Sequence, residues 1–311
     1  MKLLIAGGNS PTGKALTEQL RKRKLRFQAP ADKHFVPENA DAIARLVTDY
    51  QPTQFINLVD FISGSHGGLK RAESAIERCD QINARLPQAL ATICNEQNIP
   101  LLHLSNSYVF DGLKKLGYNE NDDLNPQGVY GRCTLTGETA VQQHHAHIIL
   151  RSGWLFSKHK KGLIKSWLQT AKRDGGILQA VKRRFSPTHT GDLAAAIIAI
   201  CQQVDCDANV WGTYHYSGLE TRRENEFIDL VLKYAAEFDT EIARLLDTLK
   251  IIERPVRTPE IFNSTLSSKK TFDTFGIRQR SWHSHLKETI QFLHSDKIIA
   301  NTDTELAHHA S

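Results

Sequence analysis

Cysteine is sparse in this chain of 311 residues: five, at positions 79, 94, 133, 201 and 206, odd in number and without a Cys-x-x-Cys pair. That count and spacing exclude a disulfide framework and a thiolate metal knuckle, and the expectation is a reduced, cytoplasmic protein. Long apolar runs are absent as well. No stretch approaches the ~20 residues of a membrane-spanning helix. The N-terminal run Leu3-Leu4-Ile5-Ala6 stops at Gly7, short of the roughly 7–15 apolar residues of a secretory signal. No membrane segment is therefore expected. An excess of one charge is missing too: Lys and Arg total 39 against 34 Asp and Glu, a net +5, too dilute over this length to indicate nucleic acid as a partner. The densest basic runs, at 21–24, 158–161 and 182–184, read as solvated helix ends and loops. What remains is an ordinary globular composition, 40% hydrophobic with 19 Gly and 10 Pro. The length exceeds the roughly 250–300 residues at which single cores stop growing, which implies two lobes around one ligand site.

The order of elements is legible from apolar runs and their punctuation. Leu3 to Ala6 reads as a strand buried on both faces, stopped by Gly7-Gly8-Asn9-Ser10,. A helix follows, with Ser10 as N-cap, Pro11 at its first position and an apolar stripe of Ala15, Leu16 and Leu20,. Strands are expected at 25–29, 55–59, 100–105, 147–152, 177–181 and 213–217. Helical segments are expected at 40–50, 69–96, from 130, and at 162–172, 190–203, 224–238 and 285–293. Such alternation builds a parallel, doubly wound α/β sheet with ligands at the carboxyl ends of its strands. The segment from 295 to 311 has no period and is expected to be a disordered tail.

Gly7-Gly8-Asn9-Ser10-Pro11-Thr12-Gly13 has the strand-turn-helix setting of a dinucleotide site, in which N–H groups at a helix start face a pyrophosphate. Ser10 stands where a middle glycine would let the backbone approach phosphate, and Pro11 removes one N–H. A ligand-free, well-capped helix start and a weakened dinucleotide turn both fit these residues. The second strand ends in Ala29-Pro30, with Asp32 two residues later, in place of a carboxylate that would hold the adenosine ribose.

At Tyr108-Val109-Phe110-Asp111-Gly112, Tyr130-Gly131-Arg132 with Leu135 and Gly137-Glu138, and Arg151 through Trp154-Leu155-Phe156, the chain resembles the dTDP-4-dehydrorhamnose reductase family. This is an extended branch of the short-chain dehydrogenase/reductases. Ser186-Pro187-Thr188, Asp192-Leu193-Ala194, Thr213-Tyr214-His215 and Phe275-Gly276-Ile277 with Trp282 continue the likeness to about residue 294. The resemblance implies a Rossmann-like doubly wound parallel sheet with a smaller α/β substrate-binding lobe. The Rossmann domain would span 1–152, completed by about 187–212, and the lobe 153–186 and 213–294. It also implies NADPH or NADH as cofactor and reduction of the 4-keto group of a nucleotide sugar.

By that resemblance Tyr130 is the proton donor and Asn106 stands where a hydroxyl polarises the carbonyl. Gly7, Ser10, Pro11, Thr12, Gly13, Asn57 and Ser105 would face the cofactor, and Ser107 and Trp154 the substrate. A phenol with a reference pKa near 10 needs help to exchange protons at neutral pH. In the family that help is a lysine four residues on, one helical turn away on the same face. Here that position is Thr134. Arg132 points to nearly the opposite side of the helix, and Lys114 and Lys115 are candidates from the preceding loop. Serine for glycine at 10, Pro30 for the ribose carboxylate, Asn106 for the hydroxyl and Thr134 for lysine all point toward weakened binding and proton delivery. Two readings follow: a reductase of reduced activity, or a catalytically inactive homologue that binds a nucleotide or a protein partner, with a homodimer as one form. His144-His145-Ala146-His147 lacks the carboxylate or cysteine spacing that completes a metal shell, and no metal is expected there.

Overall fold

The computed structural model describes residues 1–62, 68–159, 162–173, 176–206 and 209–295. Six parallel strands form the central sheet: β1 (Lys2–Ala6), β2 (Arg26–Gln28), β3 (Gln54–Asn57), β4 (Leu101–Asn106), β5 (His147–Ser152) and β6 (Gly212–Tyr216). Their spatial order is β6-β5-β4-β3-β1-β2. The continuous apolar reading of β1 has its cause here. Leu3 and Ile5 bury into a cluster with Leu16, Leu20 and Ile197 on one face, while Leu4 and Ala6 enter a cluster with Phe35, Ile43 and Leu90 on the other. Helices α1 (Pro11–Lys22), α2 (Ala40–Tyr50), α3 (Leu86–Glu96), α4 (Val129–Val141), α5 (Leu163–Arg173), α6 (Thr190–Asp205), α7 (Glu224–Ala236) and α8 (His283–His294) connect and cover the strands. The chain leaves β1 outward to β2, then crosses back to β3. The crevice at this switch point, at the carboxyl ends of β1 and β3, is where a doubly wound sheet binds its ligand.

A second hydrophobic cluster lies between α5, α7 and α8 and contains Trp167, Leu178, Phe185, Phe227, Ile290 and the fully buried Trp282. It is covered by a two-stranded parallel ribbon, Ile177–Val181 with Lys250–Arg254. The second of those strands has no sequence signature because it is mostly exposed and carries charges at both ends, so no alternation marks it.

One expected boundary is corrected. Residues 213–217 were placed in the second lobe, yet β6 pairs with β5 in the main sheet, from Gly212 opposite Ile148 to Tyr216 opposite Ser152. Burial of Tyr214 and Tyr216 in the cluster that holds α6 fixes it there. The long helical stretch read at 69–96 is broken at Ala75 and carries a π-helical turn over Gln81–Arg85 before α3. The expected tail falls outside the described residues from 296 onward. Among the described residues no helix is long and apolar enough to cross a membrane. All five cysteines are free thiols, four of them buried.

Candidate active site

The glycine turn is built as its sequence implies, and its N–H groups are partly spoken for. Ser10 Oγ accepts from the Gly13 N–H at 3.0 Å, and Pro11 occupies the first helical position. Two of the donors that would face an anion are therefore removed, one by the cap and one by the imino ring. Gly7 has φ +81°, and a Cβ there would lie 2.6 Å from the Leu58 backbone; a Cβ on Gly13 would lie 2.1 Å from the Gly7 carbonyl oxygen. These glycines serve turn geometry and close packing of helix on strand. Pro11 and Thr12 line the adjoining cavity, whereas Gly7, Ser10 and Gly13 are not among its lining residues. Asp32, past the end of β2, is exposed; partial desolvation raises its pKa, and the Asn9 backbone N–H in the glycine turn opposes that rise.

The cavity has a volume of about 730 Å³ and is lined by Pro11 and Thr12, by Ser105, Asn106, Ser107 and Tyr130, and by a wall of Arg183, Arg254, Arg257 and Glu260. The wall is ordered by ion pairs. Arg183 pairs with the buried Glu224, and Arg254 holds Glu260 in a bidentate grip at 2.6 and 2.7 Å. Arg257 is exposed and anchors this corner by donating its backbone N–H to Glu260 at 3.2 Å.

Tyr130 and Asn106 meet in the cavity lining. The Asn106 amide donates to the Tyr130 hydroxyl at 2.8 Å, and its Oδ1 accepts from the Tyr108 N–H, which fixes the amide's orientation. The Tyr130 hydroxyl donates in turn to Asp60 Oδ1 at 2.8 Å. Burial and, next, the Asp60 carboxylate push the Tyr130 pKa well above its ordinary value. A lysine at this point favours tyrosinate; a carboxylate opposes it.

Thr134 does not reach the cavity. It is 3% exposed, its hydroxyl donates to the Tyr130 carbonyl one turn back, and it accepts from Asn83 at 3.1 Å and Asn106 at 3.4 Å. The expectation that its hydroxyl could serve a ribose is thus corrected: its hydrogen-bonding capacity is spent inside the protein. Asn83 closes the ring by donating to Asp60 at 3.1 Å and accepting from the Phe61 N–H. Gly137 permits this, since a Cβ there would lie 2.1 Å from the Asn83 carbonyl oxygen. Nor does either candidate lysine enter. Lys114 pairs with Asp122 at 2.5 Å, and neither Lys114 nor Lys115 lines the cavity.

The other candidates divide. Ser107 and Trp154 line the cavity, Trp154 lying against Phe185 and stacking on Trp167. Ser105 also borders it, but its hydroxyl donates to Glu138 in a short bond. Glu138 in turn holds the fully buried Arg151 through two bonds of 2.6 and 2.9 Å, and Arg151 touches His215. The matched residues Glu138, Arg151 and His215 are therefore one buried polar string tying α4, β5 and β6 together. Burial and the Arg151 charge hold the His215 pKa down to about 3. Asn57 is fully buried and away from the cavity wall. It donates to His103 Nδ1 at 3.0 Å and accepts from the Val59 N–H, so the expected cofactor contact is corrected to a structural one. The histidines at 144, 145 and 147 are occupied by Asn95 and by the carbonyls of Ile99 and His144. Residues 63–67, in the Gly-rich segment Phe61 to Gly68 that follows β3, lie outside the described residues.

Asp60, Asn83 and the arginine wall escape a reading of the sequence. Asp60 had one usable signal, its place just beyond the carboxyl end of β3; Asn83, in a π turn, had none.

Comparison with known proteins agrees with this architecture. The chain matches the family described as the RmlD substrate binding domain over residues 1–295. It is 27% identical over 290 residues to dTDP-4-dehydrorhamnose reductase of Aggregatibacter actinomycetemcomitans, covering 92% of this chain and 97% of that protein. The solved structure of a dTDP-4-dehydrorhamnose reductase from Clostridium acetobutylicum superposes with a TM-score of 0.80 at 24% identity, covering 94% of this chain and 99% of that one. That of the Bacillus anthracis reductase in complex with NADP gives 0.77 at 23% identity, covering 93% and 98%.

Proposed function

The chain belongs to the RmlD substrate binding domain family, and on that premise we propose that it is an NAD(P)H-dependent reductase of a 4-keto nucleotide sugar whose proton delivery is weakened. The observation that carries this reading is the Tyr130 hydroxyl held 2.8 Å from the Asn106 amide in a cavity that is also lined by the first residues of a helix and by arginines. The turn fits a dinucleotide with fewer donors than usual, because Gly7 and Gly13 keep the strand and helix close while Pro11 and the Ser10 cap remove two N–H groups. Pro11 and Thr12 would hold the pyrophosphate end. A bound NADPH or NADH supplies the hydride.

The chain's own residues do the rest. An amide nitrogen carries two hydrogens, so Asn106 can hold Tyr130 with one and, by giving up its long 3.4 Å bond to Thr134, polarise the substrate carbonyl with the other. Tyr130 gives its proton to the carbonyl oxygen as hydride arrives at carbon, which requires the hydroxyl to turn from Asp60. Ser107 and Trp154 flank the sugar, and Arg257 with the paired Arg183 and Arg254 faces the nucleotide diphosphate. The likeness of the chain to named dTDP-4-dehydrorhamnose reductases supports the substrate class.

A second reading, a non-catalytic binder of nucleotide or protein, is favoured by the Asp60 carboxylate standing on the phenol. The two separate in an assay of NADH and NADPH oxidation with a dTDP-linked 4-keto sugar, product identified by mass. The reductase reading expects slow, stoichiometric formation of the 4-hydroxy sugar. Saturated binding of both ligands with no product would leave only the binder.

A further inference from the structure

We propose a divalent transition-metal site of the zinc class, formed by His189, Asp192 and His285, that joins the two lobes outside the reaction cavity. His189 precedes α6 and Asp192 lies in its first turn, whereas His285 is on α8. The cluster thus bridges a helix of the main sheet and a helix of the second core. One donor atom from each residue lies within 4.8 Å of the others. His285 Nε2 is 3.4 Å from Asp192 Oδ1. Two ligands of a tetrahedral zinc, each ~2.0–2.1 Å from the ion, stand about 3.3 Å apart, so this edge already has the spacing of a shared ion.

Two further observations support a ligand here. His189 Nδ1 is buried with no hydrogen-bond partner, an orphaned nitrogen of the kind that calls for explanation. On the outer side, His285 Nδ1 is 3.4 Å from Glu288 Oε2, the carboxylate that commonly orients a metal-bound imidazole. The His189 and His285 rings stack at 4.1 Å and within 17° of parallel, so sharing an ion requires the partly exposed His285 ring to turn until its Nε2 and a His189 nitrogen face one point. Arg280 also approaches Asp192, at 3.5 Å, but its side chain is 65% exposed and can withdraw into solvent. Two nitrogens and one carboxylate suit zinc-like ions and not magnesium, which prefers oxygen ligands. Thr190, next to His189, and Thr289, one helical turn beyond His285, line the reaction cavity, so an ion here would stiffen the wall between the lobes.

The test is a titration of the purified full-length protein with Zn²⁺, and with Co²⁺ read by its visible d–d bands, alongside His285→Gln, His189→Gln and a triple His145→Gln, His308→Gln, His309→Gln control that removes other histidines. The expected result is one ion per chain, Co²⁺ bands of a low-coordinate site, a melting temperature raised by Zn²⁺ but not by Mg²⁺, and affinity lowered at least ~10-fold by either ligand variant and unchanged in the control. His285 is partly exposed, at 29% of its side chain, so its variant decides the matter even where His189→Gln folds poorly. Absence of binding, affinity unchanged in His285→Gln, or affinity lost in the control would overturn the proposal.

Discussion

Replacing Asp60 by Asn keeps an oxygen to accept from Tyr130 and removes the charge beside it. At the observed 2.8 Å and an effective dielectric of 20, a full tyrosinate and a carboxylate repel by about 6 kcal/mol. A transition state in which the phenolic proton is about half transferred feels about half of this, ~3 kcal/mol, which corresponds to roughly 100-fold in rate. Asp60→Asn is therefore expected to accelerate reduction by up to roughly 100-fold, with little change in cofactor affinity because the turn at Gly7 to Gly13 is untouched. The assay is single-turnover oxidation of NADH or NADPH by a dTDP-linked 4-keto sugar with protein in excess. A pH–rate profile accompanies it, in which the variant's dependence on tyrosinate formation should shift toward lower pH. An unchanged rate would show that the carboxylate does not oppose the chemistry. A rate lowered by the substitution would refute the reasoning outright, since Asp60 would then be passing the proton that it is here held to restrain.

Other expectations follow from the same geometry. Glu138→Gln leaves the fully buried Arg151 without its counter-charge, and breaking such a pair costs about 3–5 kcal/mol; urea unfolding should show the loss. Ser10→Gly frees the Gly13 N–H for a phosphate at the cost of a few tenths of a kcal/mol of capping, and the cofactor dissociation constant should fall roughly 10-fold, measured by calorimetry. His103 and His215 are buried neutral, held down by burial to about 4 and about 3. Their folded pKa values lie below the unfolded value near 6.5, so the unfolded state binds more protons below that pH. Stability should accordingly be full above pH ~6.5 and fall by roughly 3 kcal/mol for each by pH 4; denaturation midpoints across pH 4–8 measure it.

How far the fold and site were legible can be traced residue by residue. β1 and the start of α1 were readable because their signals are local: an unbroken apolar run, a glycine turn, and a serine cap followed by proline. The strand Lys250–Arg254 was not, because an exposed edge strand places no periodic demand on its side chains. Thr134 was readable as a missing cation, since the i to i+4 relation to Tyr130 is fixed by the helix itself. What replaced the cation was not. Asp60 and Asn83 reach the phenol through tertiary contacts from two other segments, and no spacing in the chain encodes that approach. Glu138, Arg151 and His215 matched a family pattern without a stated role; only the pairing of β5 with β6 and the position of α4 join them into one buried string. Asn57 misled for a related reason: the family resemblance put it beside the cofactor, yet its neighbour His103 satisfies it internally.

The central claim is that the cavity between the glycine turn and the arginine wall is a dinucleotide and nucleotide-sugar site. The most direct measurement is a titration with NADH and NADPH that follows fluorescence of the four tryptophans, of which Trp154 lines the cavity, with a dTDP-sugar added to the saturated protein. Saturable quenching by the cofactor, followed by a second, sugar-dependent change, is the expected result; no response to either cofactor up to millimolar concentration would contradict the account.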